Sequence, residues 1–270
     1  MEKVVTLTIE KLSKKYTSGS NKDIFAVQDI SLAALQHEFI SIVGPSGCGK
    51  STLIKMIAGL LEPTSGRIIE HGSSDLGVRA NRGVVFQQYS LFPWLNVKEN
   101  IGFGLHIVGA AENKVKEIVS HYIKVMGLTG FEKSYPKELS GGMQQRTALA
   151  RTLATNPNIL LMDEPFSALD VQTRRFMQDL LLQILCREPR TVIFVTHDVD
   201  EAVFLSDTVY ILSPRPGSIV EKVQVALPRP RDLSVEFSED FIEIKKRIQK
   251  IITKESLNLI KLDLEIYKNL

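Results

Sequence analysis

The sequence predicts an α/β fold: a phosphate-loop core with an antiparallel β subdomain and a helical insert. Three observations carry this. The apolar run Phe39-Ile40-Ser41-Ile42-Val43 leads into Gly44-Pro45-Ser46-Gly47-Cys48-Gly49-Lys50-Ser51-Thr52, after which Leu53, Ile54, Ile57, Ala58 and Leu61 recur at helical spacing. Further apolar runs, Ile159–Met162 and Thr191–Val195, each end on polar residues, as parallel strands buried on both faces do. Between residues 89 and 156 the pattern changes to helices.

The stretch 44–52 fits G-x-x-x-x-G-K-[ST] in its required context of strand, turn and helix. Its glycines let backbone N–H groups curl round a phosphate chain, and the helix that follows offers unpaired N–H groups and its positive dipole end. Lys50 is expected to reach the β- and γ-phosphates, Ser51 to place its hydroxyl on Mg²⁺, and Thr52 to hold the α-phosphate side. Cys48 is expected to be alkylated in the free protein and shielded by ATP.

Upstream, Val5–Ile9 and Val27–Leu32 alternate as half-buried antiparallel strands and are expected beside the phosphate-loop strand. Tyr16 stands at a strand end just before a polar loop from Thr17 to Asp23. It reads equally as an adenine-stacking ring or an ordinary half-buried tyrosine. Downstream, Arg67–Glu70 is a short strand, a polar stretch runs to Arg82, and Val84-Val85-Phe86 is a buried strand ending in Gln87. In the helical insert, Val115, Ile118, Val119, Tyr122 and Met126 form a stripe stopped by Gly127. Leu139-Ser140-Gly141-Gly142-Met143-Gln144-Gln145-Arg146 is a second glycine-led helix start and a second candidate anion site.

Asp163 and Glu164 stand at the tip of the 159–162 strand. Asp163 suits Mg²⁺, through water, and Glu164 is placed to orient or deprotonate an attacking water. Pro165–Asp170 makes the exit turn before a helix from Thr173 to about Arg187. His197 follows the 191–195 strand, where strand ends meet ligands in α/β folds. Val209–Leu212 and Ile219–Val223 form a closing hairpin around Pro214, Pro216 and Gly217. Beyond Pro230 the chain changes character: Phe237, Phe241, Ile244, Ile248 and Ile251 keep helical spacing behind Ser238 as cap, which reads as a docking helix. Residues 257–266 fit strand or helix.

Composition narrows the partners. With 33 Lys and Arg against 31 Asp and Glu, the net charge of +2 gives no general electrostatic reason to bind nucleic acid. The two cysteines, Cys48 and Cys186, have no metal or disulfide spacing and fit a reducing cytosol. The first ten residues lack a signal-peptide core, and no run approaches the roughly 18 apolar residues of a membrane span. The chain is expected to be soluble on its own.

Taken in order, the phosphate loop, Gln87, residues 139–145, Asp163-Glu164, Ser167 to Asp170 and His197 resemble the nucleotide-binding subunit of ATP-binding-cassette (ABC) transporters over about residues 3 to 227. The resemblance implies the ABC ATPase fold, a P-loop NTPase core, with residues 1–230 as the ATPase domain, about 89–156 as its helical subdomain and 231–270 as a C-terminal extension of unassigned role. It implies ATP and Mg²⁺ as cofactors. Tyr16 would be the adenine-stacking aromatic, Gln87 the loop glutamine that senses Mg²⁺ and the γ-phosphate, Glu164 the general base and His197 the switch histidine. Ser140, Gly141 and Gly142 would close over ATP held by a partner subunit in a head-to-tail homodimer. Gln144 and Asp170 join the nucleotide-binding residues on the same ground.

A transport ATPase without a membrane span must borrow one, so integral-membrane permease subunits are implied, at the cytoplasmic face of the cell membrane. An extracytoplasmic solute-binding protein is implied indirectly. Tyr89 to Leu95 are the candidate permease contact, with Trp94 either exposed to that partner or packed into the insert. Residues 91–100, 196–207 and 214–217 look like the nitrate, sulfonate, taurine and bicarbonate importer branch. The competing readings are a soluble ABC-type ATPase acting on ribosomes or DNA, and a phosphate-loop kinase. The first generally fuses two cassettes or carries coiled coils, and the second has no need of residues 139–145.

Overall fold

The computed structural model describes residues 4–17, 23–71 and 82–268, with side chains to 257. The polar loop after Thr17 and most of the polar stretch after Glu70 lie outside the described residues. Two compact units partition the chain: Met1–Arg79 with Thr191–Leu270, and Ala80–Arg190.

In the first unit, strand β3 (Phe39–Val43) is buried at all five residues. Parallel strands take both its edges: β7 (Thr191–Val195) pairs Ile40 with Ile193, and β8 (Thr208–Leu212) pairs Ile42 with Tyr210. All five residues of each are buried, with Thr191 and Thr208 each leading an otherwise largely apolar run, as in a strand covered on both faces. Strand β9 (Ile219–Gln224) returns antiparallel to β8. Helix α1 (Lys50–Ile57) follows the phosphate loop and buries Leu53, Ile54, Met56 and Ile57.

Strands β1 (Val5–Thr17) and β2 (Asp23–Leu35) do not join the phosphate-loop strand as expected. They form a separate antiparallel sheet with β4 (Ser65–Glu70), in the order β2-β1-β4. The reason is that β7 and β8 already occupy both hydrogen-bonding edges of β3. Period-2 alternation puts Leu7 and Ile9 inside this second sheet, and the register shift between Ile9 and Leu12 changes the phase so that Leu12 is buried too.

Helix α6 (Val199–Leu205) and the tail helix α7 (Glu239–Lys268) complete the unit. The segment that fits strand or helix in sequence is helix. Ser238 accepts from the Phe241 N–H, and Glu239 and Asp240 occupy the first turn, where negative charge suits the helix dipole. Phe241 and Ile248 are buried, and α7 contacts α6 and β8. Between β9 and α7, Arg231 is a buried guanidinium that donates to the carbonyls of Val203, Phe204 and Ser206 at the end of α6, and to Leu227. Burial lowers its pKa to about 10, so it remains a cation at neutral pH.

In the second unit, β5 (Arg82–Val85) and β6 (Ile159–Asp163) pair in parallel. Helix α2 (Val97–Ile107) opens on a capping box between Asn96 and Glu99. Helix α3 (Glu112–Val125) buries Val115, Val119, Tyr122 and Ile123 and ends before Gly127, whose φ of 60° is the left-handed stop expected there. The Tyr122 hydroxyl, bonded to the Leu153 carbonyl and to Glu188, is pushed up to about 12, first by burial and then by that carboxylate. Helices α4 (Gly141–Ala154) and α5 (Val171–Arg187) are capped by Ser140 and Asp170. Helix α5 begins two residues earlier than its periodicity suggests, because the Asp170 carboxylate accepts from the N–H groups of Gln172 and Thr173.

Candidate functional site: a phosphate loop and a signature helix start

In the first unit the phosphate loop rests on tertiary support. Gly49 has φ 101°, and a Cβ there would stand 2.5 Å from Val27 Cγ1 and 2.6 Å from the Ala26 carbonyl oxygen of β2. Gly217, at the tip of the β8–β9 hairpin, comes closer still. A Cβ on it would meet the Cys48 carbonyl oxygen at 2.0 Å, while its own N–H donates to Ala26 and its carbonyl accepts from Gln28. Only glycine permits backbones to approach so closely. The hairpin tip and β2 therefore brace the loop from outside the motif, a role that no local pattern around Gly217 signals.

Lys50 is buried, and its ammonium donates to the carbonyls of Gly44 at 2.9 Å and Pro45 at 3.1 Å. Ser46, Gly47 and Ser51 are exposed, and Thr52 is half-buried. Gly47 has φ 75°, and beyond its chain neighbours no atom lies within 4 Å of where a Cβ would stand, so the loop is open on that side. An exposed loop of amides over a helix start with a lysine at its first position fits a polyphosphate.

The strand pairing places His197 beside this loop. Ile42 of β3 lies opposite Val195 of β7, and the Thr196 N–H donates to the Ile42 carbonyl, so Gly44 and His197 emerge from neighbouring strand ends. His197 is exposed. The backbone around it is fixed: Thr196 Oγ1 accepts from the Asp198 N–H and donates to Glu201 Oε2 at 2.5 Å, while Asp198 caps α6. Tyr16 lies opposite Ile24 on β2, 46% exposed, with the Lys14 ammonium 5.5 Å from its ring centroid. It is open enough to stack on a base.

Cys48 is the correction. Only 1% of it is exposed, and burial raises its thiol pKa. A buried thiol held protonated is a poor nucleophile, so the expected labelling is overturned. Alkylation with iodoacetamide at pH 7.5 is expected to enter the exposed Cys186 at least tenfold faster than Cys48, with or without ATP, as read by peptide mass spectrometry.

In the second unit Asp163 ends β6, buried, and Glu164 follows at φ 45°, half-buried. A left-handed glutamate costs on the order of 1 kcal/mol, and the turn that holds it is bonded. Ser167 Oγ donates to the Glu164 carbonyl at 2.9 Å, and Gln87 Nε2 reaches Ser167 Oγ at 3.4 Å. The structure thus links Gln87 to the backbone of Glu164 through one hydroxyl.

The helix start at Ser140 is exposed. Ser140 Oγ accepts from the Met143 N–H, Gln144 Nε2 donates to the Leu139 carbonyl, and Gly141 is exposed beside them. A Cβ on Gly142 would stand 2.6 Å from Thr173 Cγ2 of α5, so any larger residue there would have to displace that side chain. The Asp170 carboxylate, exposed, is engaged by the cap of α5, and its hydrogen bonds from Thr173 hold it below the usual range.

Trp94 is not packed into the insert: it is 69% exposed. It leans on Phe92 at 5.6 Å, which packs on Phe103 at 4.3 Å. The buried Asn100 amide binds the carbonyls of Phe92, Leu95 and Asn96, and Arg151 donates to the Ser90 carbonyl. An exposed indole on a segment this firmly held is the composition of an interface anchor.

The family model described as ABC transporter matches residues 27–167. An uncharacterized ABC transporter ATP-binding protein of Methanocaldococcus jannaschii is 50% identical over 257 residues, 95% of this chain and 95% of its own length. The nitrate import ATP-binding protein of a Synechocystis strain is 46% identical over 82% of this chain and 83% of its own. Among solved structures, the dimer of an ATP-binding cassette in a post-hydrolysis state, bound to ADP and Pi, superposes with a TM-score of 0.71 at 31% identity, covering 82% of this chain and 100% of that one.

Proposed function

This chain belongs to the ABC transporter family and is an ABC-type ATPase, and on that premise we propose that it powers the import of a small oxyanion or sulfonate-like solute through separate permease subunits. The observation that carries the reading is the presence in one chain of a braced phosphate loop and an exposed, Ser140-capped glycine helix start. Two such chains, head to tail, each lend Ser140, Gly141 and Gly142 to the nucleotide on the other. No helix among the described residues is long and apolar enough to cross a membrane. The chain works at the cytoplasmic face, held there by the permease.

Each side chain has a task suited to its chemistry. Tyr16 stacks on adenine. The amides of Gly44, Pro45's successor Ser46, Gly47, Cys48 and Gly49 cradle the phosphates, Lys50 turns its ammonium from the loop carbonyls to the β- and γ-phosphates, and Thr52 holds the α-phosphate side. Ser51, Gln87 and Asp163 offer a hydroxyl, an amide oxygen and a carboxylate, the oxygen donors a hard cation takes. A Mg²⁺ held there with ATP would neutralise charge on the phosphate oxygens. Glu164 takes the proton of the attacking water, and His197 holds the γ-phosphate end in register.

Lys50→Ala removes the charged donor and is expected to weaken ATP binding by about 10²-fold, measured by fluorescent-nucleotide titration. Unchanged affinity would contradict the phosphate-loop role. The transport reading is tested by recovering the tagged chain from native membranes in detergent with Mg-ATP. A multi-span partner is expected with it, and Trp94→Ala is expected to cut that recovery at least tenfold without changing ATP affinity. Recovery of ribosomes or nucleic acid instead would overturn it. The solute class rests on the nitrate importer relative and the branch resemblance at residues 91–100, 196–207 and 214–217.

A further inference from the structure

We propose that the C-terminal extension is a clamp that positions the switch histidine, with Lys245 and Arg231 as its two positioning residues. The inference rests on the reading of His197 given above. Helix α6 starts directly after His197, and both of its ends are held by residues beyond Pro230. At its last turn, Arg231 collects the carbonyls of Val203, Phe204 and Ser206. At its first turn, the Lys245 ammonium of α7 lies 2.6 and 2.9 Å from the two carboxylate oxygens of Asp200.

The route from Asp200 to His197 is short. Asp198 Oδ1 accepts from the N–H groups of Asp200 and Glu201, and Glu201 Oε2 accepts from Thr196 Oγ1, which in turn receives the Asp198 N–H. The residues on either side of His197 are thus bonded to the same helical turn that α7 grips. Buried Phe241 and Ile248 seat α7, and Arg247 bonds Glu221 of β9 at 2.6 Å, so the grip is anchored to the body of the unit. Helix α6 has only seven residues, and so short a helix does not hold its own first turn rigidly.

The test uses the full chain with Mg-ATP. Because Lys245 and Asp200 are each about one-third exposed, Asp200→Asn and Lys245→Met are each expected to lower kcat about two- to fivefold with ATP affinity unchanged. The double variant is expected to be no slower than either single one, since both remove the same contact. Multiplicative losses, or no loss in kcat, would overturn the clamp. A second variant, Phe241→Asp with Ile248→Asp, unseats α7. Loss of amide protection over 239–257 with a kcat drop of about tenfold supports the proposal, and the same loss of protection with kcat unchanged overturns it. His197→Ala, assayed in parallel, separates the two levels. If it keeps normal turnover, the reading of the histidine falls and the clamp with it. If it abolishes turnover while the α7 variants do not lower kcat, the clamp alone falls.

Discussion

Glu164→Gln is expected to lower ATP turnover on the order of 10³-fold, about 4 kcal/mol of barrier, while ATP binding stays within about twofold. The asymmetry comes from what the substitution changes. Glutamine has the shape of glutamate and meets the same left-handed backbone at φ 45°, so the turn held by Ser167 and Gln87 is kept. It cannot take a proton. On the roles proposed above, binding belongs to the loop at 44–52 and is untouched, while the chemical step loses its base. Phosphate release measured beside nucleotide affinity separates the two, and near-normal turnover would remove Glu164 from the role. The variant is also expected to accumulate as a nucleotide-bound dimer, visible by size-exclusion chromatography with light scattering.

Arg231→Met is expected to destabilise the folded chain by about 3 kcal/mol. The guanidinium satisfies four backbone carbonyls in a place water does not reach, and methionine fills much of its volume without replacing one bond. What remains is a helix end with stranded acceptors facing the negative end of its own dipole. Spread over a chain of this size, the loss corresponds to a fall in thermal midpoint of roughly 6–12 °C by calorimetry. Arg231→Lys should recover only part of it, because Nη1 meets the three α6 carbonyls while Nη2 reaches Leu227, and a single ammonium cannot stand in both places. A midpoint unchanged in the methionine variant would show that these carbonyls find other partners.

The parts of the candidate site are legible in the sequence because each is local. The phosphate loop, the Asp163-Glu164 tip and the Ser140 helix start each lie within a few residues, flanked by strand or helix patterns that restrict what they can be. What is not legible is made by approach over long separations. Gly217 reads as a turn glycine, and nothing in its neighbourhood says that its missing side chain makes room for the Cys48 carbonyl. Nothing in the sequence around Arg231 marks it as buried. The separate sheet of β1, β2 and β4 escapes a sequence reading for a related reason, since alternation marks a half-buried strand but does not name its partner. Trp94 reads in sequence as either packed or exposed, and only Asn100 and Arg151, which hold its segment in place, decide that it stands out from the surface.

The bonds from the Lys50 ammonium to the Gly44 and Pro45 carbonyls bear on how fast the loop can be loaded. Those two bonds, with the bracing at Gly49 and Gly217, keep the loop curled by its own contacts. Capture of a nucleotide then requires one side chain to swing, a motion of picoseconds to nanoseconds, rather than the folding of a segment. Association should run at the rate of an ordinary diffusional encounter, in the range of roughly 10⁵–10⁷ M⁻¹s⁻¹, and little affinity is lost to ordering the site. In the cycle proposed above, the slow steps would then lie in the meeting and parting of two chains rather than in the loading of the loop.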